Sequence, residues 1–321
     1  MKNNTLPYKA GPGEQPIRVL HSLILGLFEN ASQDFQNLLG EQIKYFGADP
    51  KITYDVFPSG VEGPCIEGGN GTIYIQETFL SYLWTIAYSH LLLVDEEVTR
   101  PQLEENYSRS DDQATLINDA YKLLIYGLKL RVEYIPWTID ELPNPELYSG
   151  EEALYVEKSS AVFLQAIVFI LIHEFAHFYL GHLESSELPK LENSEVTGFD
   201  WRKQSIDDET KADNYAISIM KEGADFIINR QTIYCGIVIG LIAVLFLSPS
   251  LDGDTHPDPH RRLYSALSQM DIEPNNMLWA LASTAIALWA HFYQKPPVGG
   301  HDYNSLRENF EQMMDELSAV V

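Results

Sequence analysis

The segment from His173 to His177 has the form His-Glu-x-x-His and lies within a predicted apolar helix. Residues four apart on a helix lie on one face, so both imidazoles can reach a single zinc ion. Glu174 stands beside them, where it can take a proton from a water at that ion. Unpaired charged groups are costly to bury between apolar runs, and metal ligation offsets that cost. The motif therefore predicts a zinc site with Glu174 as general base.

A catalytic zinc needs a third protein ligand, and residues 207–213 include four carboxylates. On a helical wheel Glu209 falls within the apolar stripe and Asp213 lies on the same side, whereas Asp208 is turned about 100° away. We therefore expect Glu209 to be the third ligand and Asp213 to orient a ligand imidazole. Two alternatives stay open, namely Glu209 as an acid favoured near a helix amino terminus and Asp213 as a salt-bridge partner.

His182 is the next histidine after the motif. The predicted helix over residues 159–184 continues through this position, and five residues beyond His177 correspond to a turn of about 140° around the helix axis. On this geometry His182 points away from the metal. We therefore do not expect it to be a ligand.

The periodicity of the chain is mostly helical. Two strand-like runs, Ile52 to Phe57 and Thr72 to Gln76, predict a small amino-terminal antiparallel sheet. The expected fold class is α+β, predominantly α-helical. The Pro- and Gly-containing stretch 136–150 predicts a subdomain boundary. Residues 1–150 would form a helical and β-hairpin subdomain, and residues 151–321 a helical subdomain with the metal site. The two are expected to form one compact unit. The other predicted helices cover residues 17–46, 77–94, 111–130, 206–222, 232–247, 258–270, 277–293 and 304–318.

The run from Thr232 to Leu247 is the longest apolar stretch. As a helix it would span about 24 Å, less than the roughly 30 Å of a bilayer core. Its Gly236 and Gly240 suit close helix packing in a membrane or in a soluble core. Both interpretations stay open at this point.

The composition is acidic, with 46 Asp and Glu against 21 Lys and Arg in 321 residues and a formal net charge of −25. The excess is spread evenly along the chain. Such a surface repels phosphate backbones and anionic lipids, which argues against nucleic acid and membranes and favours a protein partner. Cys65 and Cys235 offer no disulfide framework and are expected to be buried thiols. The amino terminus has no signal-peptide pattern, so we expect a cytoplasmic protein.

Three elements follow one another along the chain: His173-Glu174-x-x-His177, Glu209-x-x-x-Asp213, and Thr255-His256-Pro257 followed by Arg262. Their order resembles gluzincin peptidases of the CAAX prenyl protease type. Chain size and an amino-terminal helix-plus-hairpin portion make the sequence more similar still to the phage-exclusion Lit-type peptidases.

The resemblance implies a zincin-like fold in which His256 and Arg262 line the site, where they stabilise an oxyanion or anchor the substrate. A single membrane crossing by residues 232–247 would put His256 and the metal motif on opposite sides, so this shared site favours a core helix. Without the resemblance, His256 is a loop histidine before a helix that Pro257 and Pro259 start, and Arg262 pairs with an acid such as Asp213.

The resemblance also implies a function. It predicts a zinc-dependent endopeptidase of antiphage defence that cleaves a host protein, such as a translation elongation factor, after activation by a phage-derived peptide or protein. By analogy with zincins, an extended substrate would pair with the strand from Thr72 to Gln76. The alternatives are a regulatory peptidase, a quality-control peptidase associated with the inner membrane through residues 232–247, and a non-catalytic zinc-stabilised binding module.

Overall fold

The computed structural model describes residues 11, 13–46, 52–67, 71–103, 107–183, 201–226, 230–251, 257–300 and 302–320. The α-helices are α1 (His21–Glu29), α2 (Gln33–Phe46), α3 (Glu77–Val94), α4 (Arg100–Leu103), α5 (Asp111–Leu130), α6 (Glu152–Tyr179), α7 (Trp201–Phe226), α8 (Arg230–Leu247), α9 (Pro259–Gln269), α10 (Met277–Phe292) and α11 (Leu306–Val320). The strands are β1 (Ile52–Asp55), β2 (Cys65–Ile66) and β3 (Ile73–Gln76). The predicted class, α+β and predominantly α-helical, is confirmed.

Helix α6 lies at the centre of the fold and carries the histidine motif near its carboxyl end. It packs against α3, α7 and α8. From Val162 to Ile172 nearly every residue is buried. A helix that is apolar on all sides needs neighbours on all sides, and this packing provides them. The core therefore holds the motif on a rigid element.

The carboxyl end of α6 differs from the predicted helix end at residue 184. The helix ends at Tyr179, and Gly181 follows with a φ of +76°. Glycine enters this left-handed region at little cost, which makes it a common residue just after a helix. The chain after Gly181 therefore leaves the path of α6.

The apolar run 232–247 forms most of α8, which packs along α6. A β-carbon on Gly236 would lie 2.8 Å from the backbone carbonyl carbon of Gln165, and one on Gly240 would lie 3.0 Å from the Phe169 ring. The two glycines thus permit close backbone approach between α6 and α8. Within the described residues, α6 and α8 are long and apolar enough to cross a membrane, and most of each is buried inside the protein. This burial is consistent with a soluble protein.

Replacing Gly236 with Ala is expected to lower the free energy of unfolding by about 1–3 kcal/mol, because the added methyl group would overlap α6. Gly26 in α1 is the matched control, since a β-carbon there meets nothing within 4 Å. Gly26→Ala should instead stabilise the protein by about 0.4–1 kcal/mol. Denaturant unfolding of both variants measures the difference, and equal stability of the two would contradict the close approach.

The single helix predicted over residues 17–46 is wrong, because the chain breaks between α1 and α2. Ser32 accepts a hydrogen bond from the backbone N–H of Phe35 at 3.1 Å and donates one to Glu222 of α7 at 2.9 Å. The side chain thereby caps the start of α2. The local capping bonds and the contact with α7 outweigh the continuous apolar stripe.

The sheet is mixed, whereas the sequence predicts an antiparallel one. Its order is β1-β3-β2, with β1 parallel to β3 and β2 antiparallel to β3. The connection between β1 and β3 is long enough to bring the chain back to the same end of the sheet, and it contributes β2 on the way. The two strands that the sequence identifies are therefore parallel neighbours.

Candidate metal centre and cleft

Three side chains from two helices meet beside the centre of the fold. The Nε2 atoms of His173 and His177 on α6 lie 3.2 Å apart. Glu209 on α7 approaches both rings, with one carboxylate oxygen 3.3 Å from Nε2 of His173 and the other 3.4 Å from Nε2 of His177. All three side chains are largely buried, and together they form a group that could hold a metal ion.

These separations fit zinc. When metal–ligand bonds are about 2.0–2.1 Å, neighbouring ligands of a tetrahedral site lie about 3.3 Å apart. Two imidazole lone pairs that face each other also repel, unless a proton or a cation lies between them. Two histidines and one carboxylate form the ligand set of several catalytic zinc sites, which leave the fourth position to water or substrate. The donor atoms therefore suit a catalytic rather than a closed structural zinc.

Asp213 and Arg262 stand behind His173. Nδ1 of His173 lies 2.9 Å from Oδ1 of Asp213. Nε and Nη2 of Arg262 donate to the two oxygens of Asp213, each at 2.7 Å, in a bidentate arrangement. Burial opposes ionisation of Asp213, but Arg262 and His173 hold the pKa of that carboxyl well below its usual range. Asp213 thus stays charged and can fix the orientation of the His173 ring.

The two motif histidines differ electrostatically. Burial lowers the pKa of His173, but Asp213 and Glu209 outweigh it and raise that pKa to about 9. Burial and the charge of His173 lower the pKa of His177 to about 4. The buried carboxylates of Glu209 and Asp213 lie beside one buried guanidinium, that of Arg262. A second positive charge, either a proton on His173 or a metal ion between the ring nitrogens, balances the two carboxylates.

Glu174 lines the same cleft as the three candidate ligands. Burial, aided by the charge of Glu209, raises its pKa to about 7, although His173 and Arg262 act in the opposite direction. A carboxyl group with a pKa near neutrality can both accept and release a proton in that range. This environment suits a general base.

The cleft has a volume of about 430 Å³ and runs along the candidate ligands. Residues 63–66, which include β2, and apolar residues of α6 and α8 line it. Cys235 is buried as expected, whereas Cys65 is exposed and lines the cleft; both are free thiols. The cleft is thus apolar on its sides and polar where the ligands lie.

The predicted role of the strand from Thr72 to Gln76 is wrong. This strand, β3, is the middle strand of the sheet and is hydrogen-bonded on both sides. β2 is the edge strand that lines the cleft. Its short length and glycine-rich surroundings give no alternating pattern that could have identified it. A substrate that adds a strand to this sheet beside the ligands must pair with β2.

The resemblance also places His256 and Arg262 at the site. His256 lies outside the described residues, as does Thr255. Arg262 lines the cleft and its Nη1 lies 4.0 Å from Glu209, so it contacts both Glu209 and Asp213. The salt bridge between Arg262 and Asp213 is one of the sequence-based alternatives, and it is compatible with a place at the site.

Two residues that the sequence analysis set aside lie behind His177. Nδ1 of His182 lies 3.1 Å from Nδ1 of His177, and Nε2 of His182 lies 3.5 Å from Oδ1 of Asp208. Asp208 is buried, which differs from its predicted position off the inward face, and it also accepts a hydrogen bond from Lys211 at 3.1 Å. Burial lowers the pKa of His182. Gly181 is the signal in the sequence that α6 ends before His182. The helical wheel therefore does not apply to His182.

A protein-family model described as Peptidase U49 matches residues 73–282, about two thirds of the chain. The match runs from β3 into α10 and includes His173, Glu174, His177, Glu209 and Arg262. Searches of curated proteins and of solved structures gave no match. Lit-type proteases form family U49, so the family match agrees with the expected relationship to them at the level of a peptidase. Since the model covers well over half of the sequence, this chain belongs to the Peptidase U49 family of protein-cleaving hydrolases.

Proposed function

We propose that this peptidase is a zinc-dependent endopeptidase. The observation that carries the proposal is the set of distances among His173, His177 and Glu209, all between 3.2 and 3.4 Å. These distances correspond to the edges of a tetrahedral zinc site. The site opens into a cleft rather than being closed by a fourth protein ligand among the described residues. An open site of this kind supports catalysis.

The protein residues have separate roles in peptide hydrolysis. His173, His177 and Glu209 hold the zinc ion, which when bound acts as a Lewis acid that polarises the scissile carbonyl and acidifies water. Glu174 takes a proton from the attacking water at its carboxylate and passes it to the leaving amine. Arg262 keeps Asp213 ionised, and Asp213 holds the His173 ring in place.

The substrate binds in an extended conformation along β2. Main-chain groups of an added strand pair with an exposed sheet edge, while alternate side chains enter neighbouring pockets. β2 is an edge strand, and it lines the cleft together with apolar residues of α6 and α8. An extended peptide in this position lies beside the candidate ligands and Glu174.

We further propose that the protein acts in antiphage defence in the cytoplasm. Its substrate is a host protein, a translation elongation factor, and a phage-derived peptide or protein activates the cleavage. Membership of Peptidase U49 and the resemblance to Lit-type peptidases support this role. The acidic surface supports a protein partner over nucleic acid. Burial of the two long apolar helices is consistent with a soluble enzyme.

Metal removal tests the proposal. Purified protein should contain one equivalent of zinc. When this protein is added to lysates of phage-infected bacteria it should cleave its substrate, and a chelator should abolish that cleavage. Added zinc should restore cleavage. Chelation should also lower the melting temperature, because a ligand that binds only the native state stabilises it. Zinc content by mass spectrometry and new amino termini by proteomics measure these effects. Full cleavage by protein shown to be metal-free would refute the zinc mechanism.

A further inference from the structure

The two candidate metal-binding histidines are supported from behind by different chemical groups. His173 faces the carboxylate of Asp213, with 2.9 Å between Nδ1 and Oδ1. His177 faces a second imidazole, with 3.1 Å between its Nδ1 and Nδ1 of His182. The His182 side chain is 8% exposed. The contact is therefore sheltered from water that would compete for the two ring nitrogens.

The contact requires one particular arrangement of protons. An imidazole that offers Nε2 to a metal carries its proton on Nδ1, and this N–H needs an acceptor. For His177 the facing atom is Nδ1 of His182, which can accept only if the His182 proton lies on Nε2. A neutral His182 in that tautomer completes the bond, and a cationic His182 would repel it.

Asp208 favours the required tautomer of His182. Its Oδ1 lies 3.5 Å from Nε2 of His182, so a proton on Nε2 faces a carboxylate. Lys211 contacts the same oxygen at 3.1 Å and its side chain is 55% exposed. The order of contacts is therefore Lys211, Asp208, His182, His177 and finally the candidate metal position.

We propose that His182 is a positioning residue for the metal centre, which fixes the tautomer and ring orientation of His177 while Asp208 fixes those of His182. This inference rests on the proposed zinc site. A neutral imidazole behind His177 adds no further negative charge to a site where Glu174 and Glu209 line the cleft and Asp213 stands behind His173. The arrangement therefore orients His177 without the electrostatic repulsion of another carboxylate.

Zinc affinity measured by competition with a chromophoric chelator tests this role. His182→Ala should weaken zinc binding about 10–100-fold, the usual effect of losing a group that orients a metal ligand. His182→Asn should recover most of the affinity, because its side-chain oxygen can accept the His177 N–H in place of Nδ1. Asp208→Asn should weaken binding less than His182→Ala does. Asp207→Asn is the matched control, since Asp207 is the exposed neighbour of Asp208.

The cobalt-substituted protein provides a second readout. The visible absorption bands of Co²⁺ should shift in His182→Ala and return toward the wild-type spectrum in His182→Asn, and circular dichroism should show that both variants are folded. Wild-type zinc affinity in His182→Ala, or equal losses in the Ala and Asn variants, would overturn the positioning role. If the wild-type protein itself binds no zinc, the proposed function fails first, so the two failures can be told apart.

Discussion

Glu174→Gln is expected to lower peptide-bond cleavage about 10²–10⁴-fold, the usual contribution of a positioned general acid or base. The amide keeps the size of the side chain but cannot take the proton of the attacking water. Zinc content should not change, because His173, His177 and Glu209 form the candidate metal site without Glu174. The variant therefore separates chemistry from metal binding.

Cleavage by the wild-type protein and by Glu174→Gln can be compared by counting new amino termini in bacteria that express one or the other, before and after phage infection. Glu157→Gln is a suitable control, since Glu157 is an exposed acid on the same helix. Only the wild-type and control forms should generate the termini. If the Glu174 variant keeps its zinc and cleaves as well as wild type, the peptidase mechanism is lost and a structural zinc site becomes the better explanation.

Glu209→Ala should weaken zinc binding by on the order of a hundredfold or more. Structural zinc sites bind with about 10–16 kcal/mol shared among four ligands, so one ligand contributes about 3 kcal/mol. Cleavage should disappear at zinc concentrations that saturate the wild-type protein. His173 and His177 each already supply one ligand atom to the site, so neither can replace the lost carboxylate.

Asp207→Ala is the control for Glu209→Ala, because it removes an acid from the same helix at an exposed position. Its zinc affinity should match that of the wild-type protein. Isothermal titration with zinc measures both variants. Equal losses in the two would mean that general negative charge, rather than ligation by Glu209, attracts the metal.

The elements buried on one side or on all sides were predictable from periodicity. Helices α3 and α5 have the bounds that the sequence predicts. The break at Ser32 was not predictable from the apolar stripe, because it depends on a side-chain cap and on Glu222, far away in sequence. The direction of β1 relative to β3 also depends on the path of a long connection. Local patterns contain little information about such contacts.

Within the site, the positions fixed by helical geometry were the predictable ones. The spacing of His173 and His177 and the inward face of Glu209 and Asp213 follow from 3.6 residues per turn. His182 lies beyond the end of the helix, where that rule no longer applies. Its position depends on the turn at Gly181 and on the partner helix α7, which supplies Asp208.

The close contact between α6 and α8 allows side chains in the cleft wall to change without altering the spacing of the two helices. Val244 and Leu247 lie on α8 just beyond Gly240, and they share the cleft with Phe169 and Ile170 of α6. At Gly236 the distance between these helices is set by close approach to the backbone of Gln165 and Ala166. Exchanges at Val244 and Leu247 can therefore reshape the cleft wall while the scaffold keeps its dimensions. Redesigning the preferred cleavage sequence should begin at these two positions.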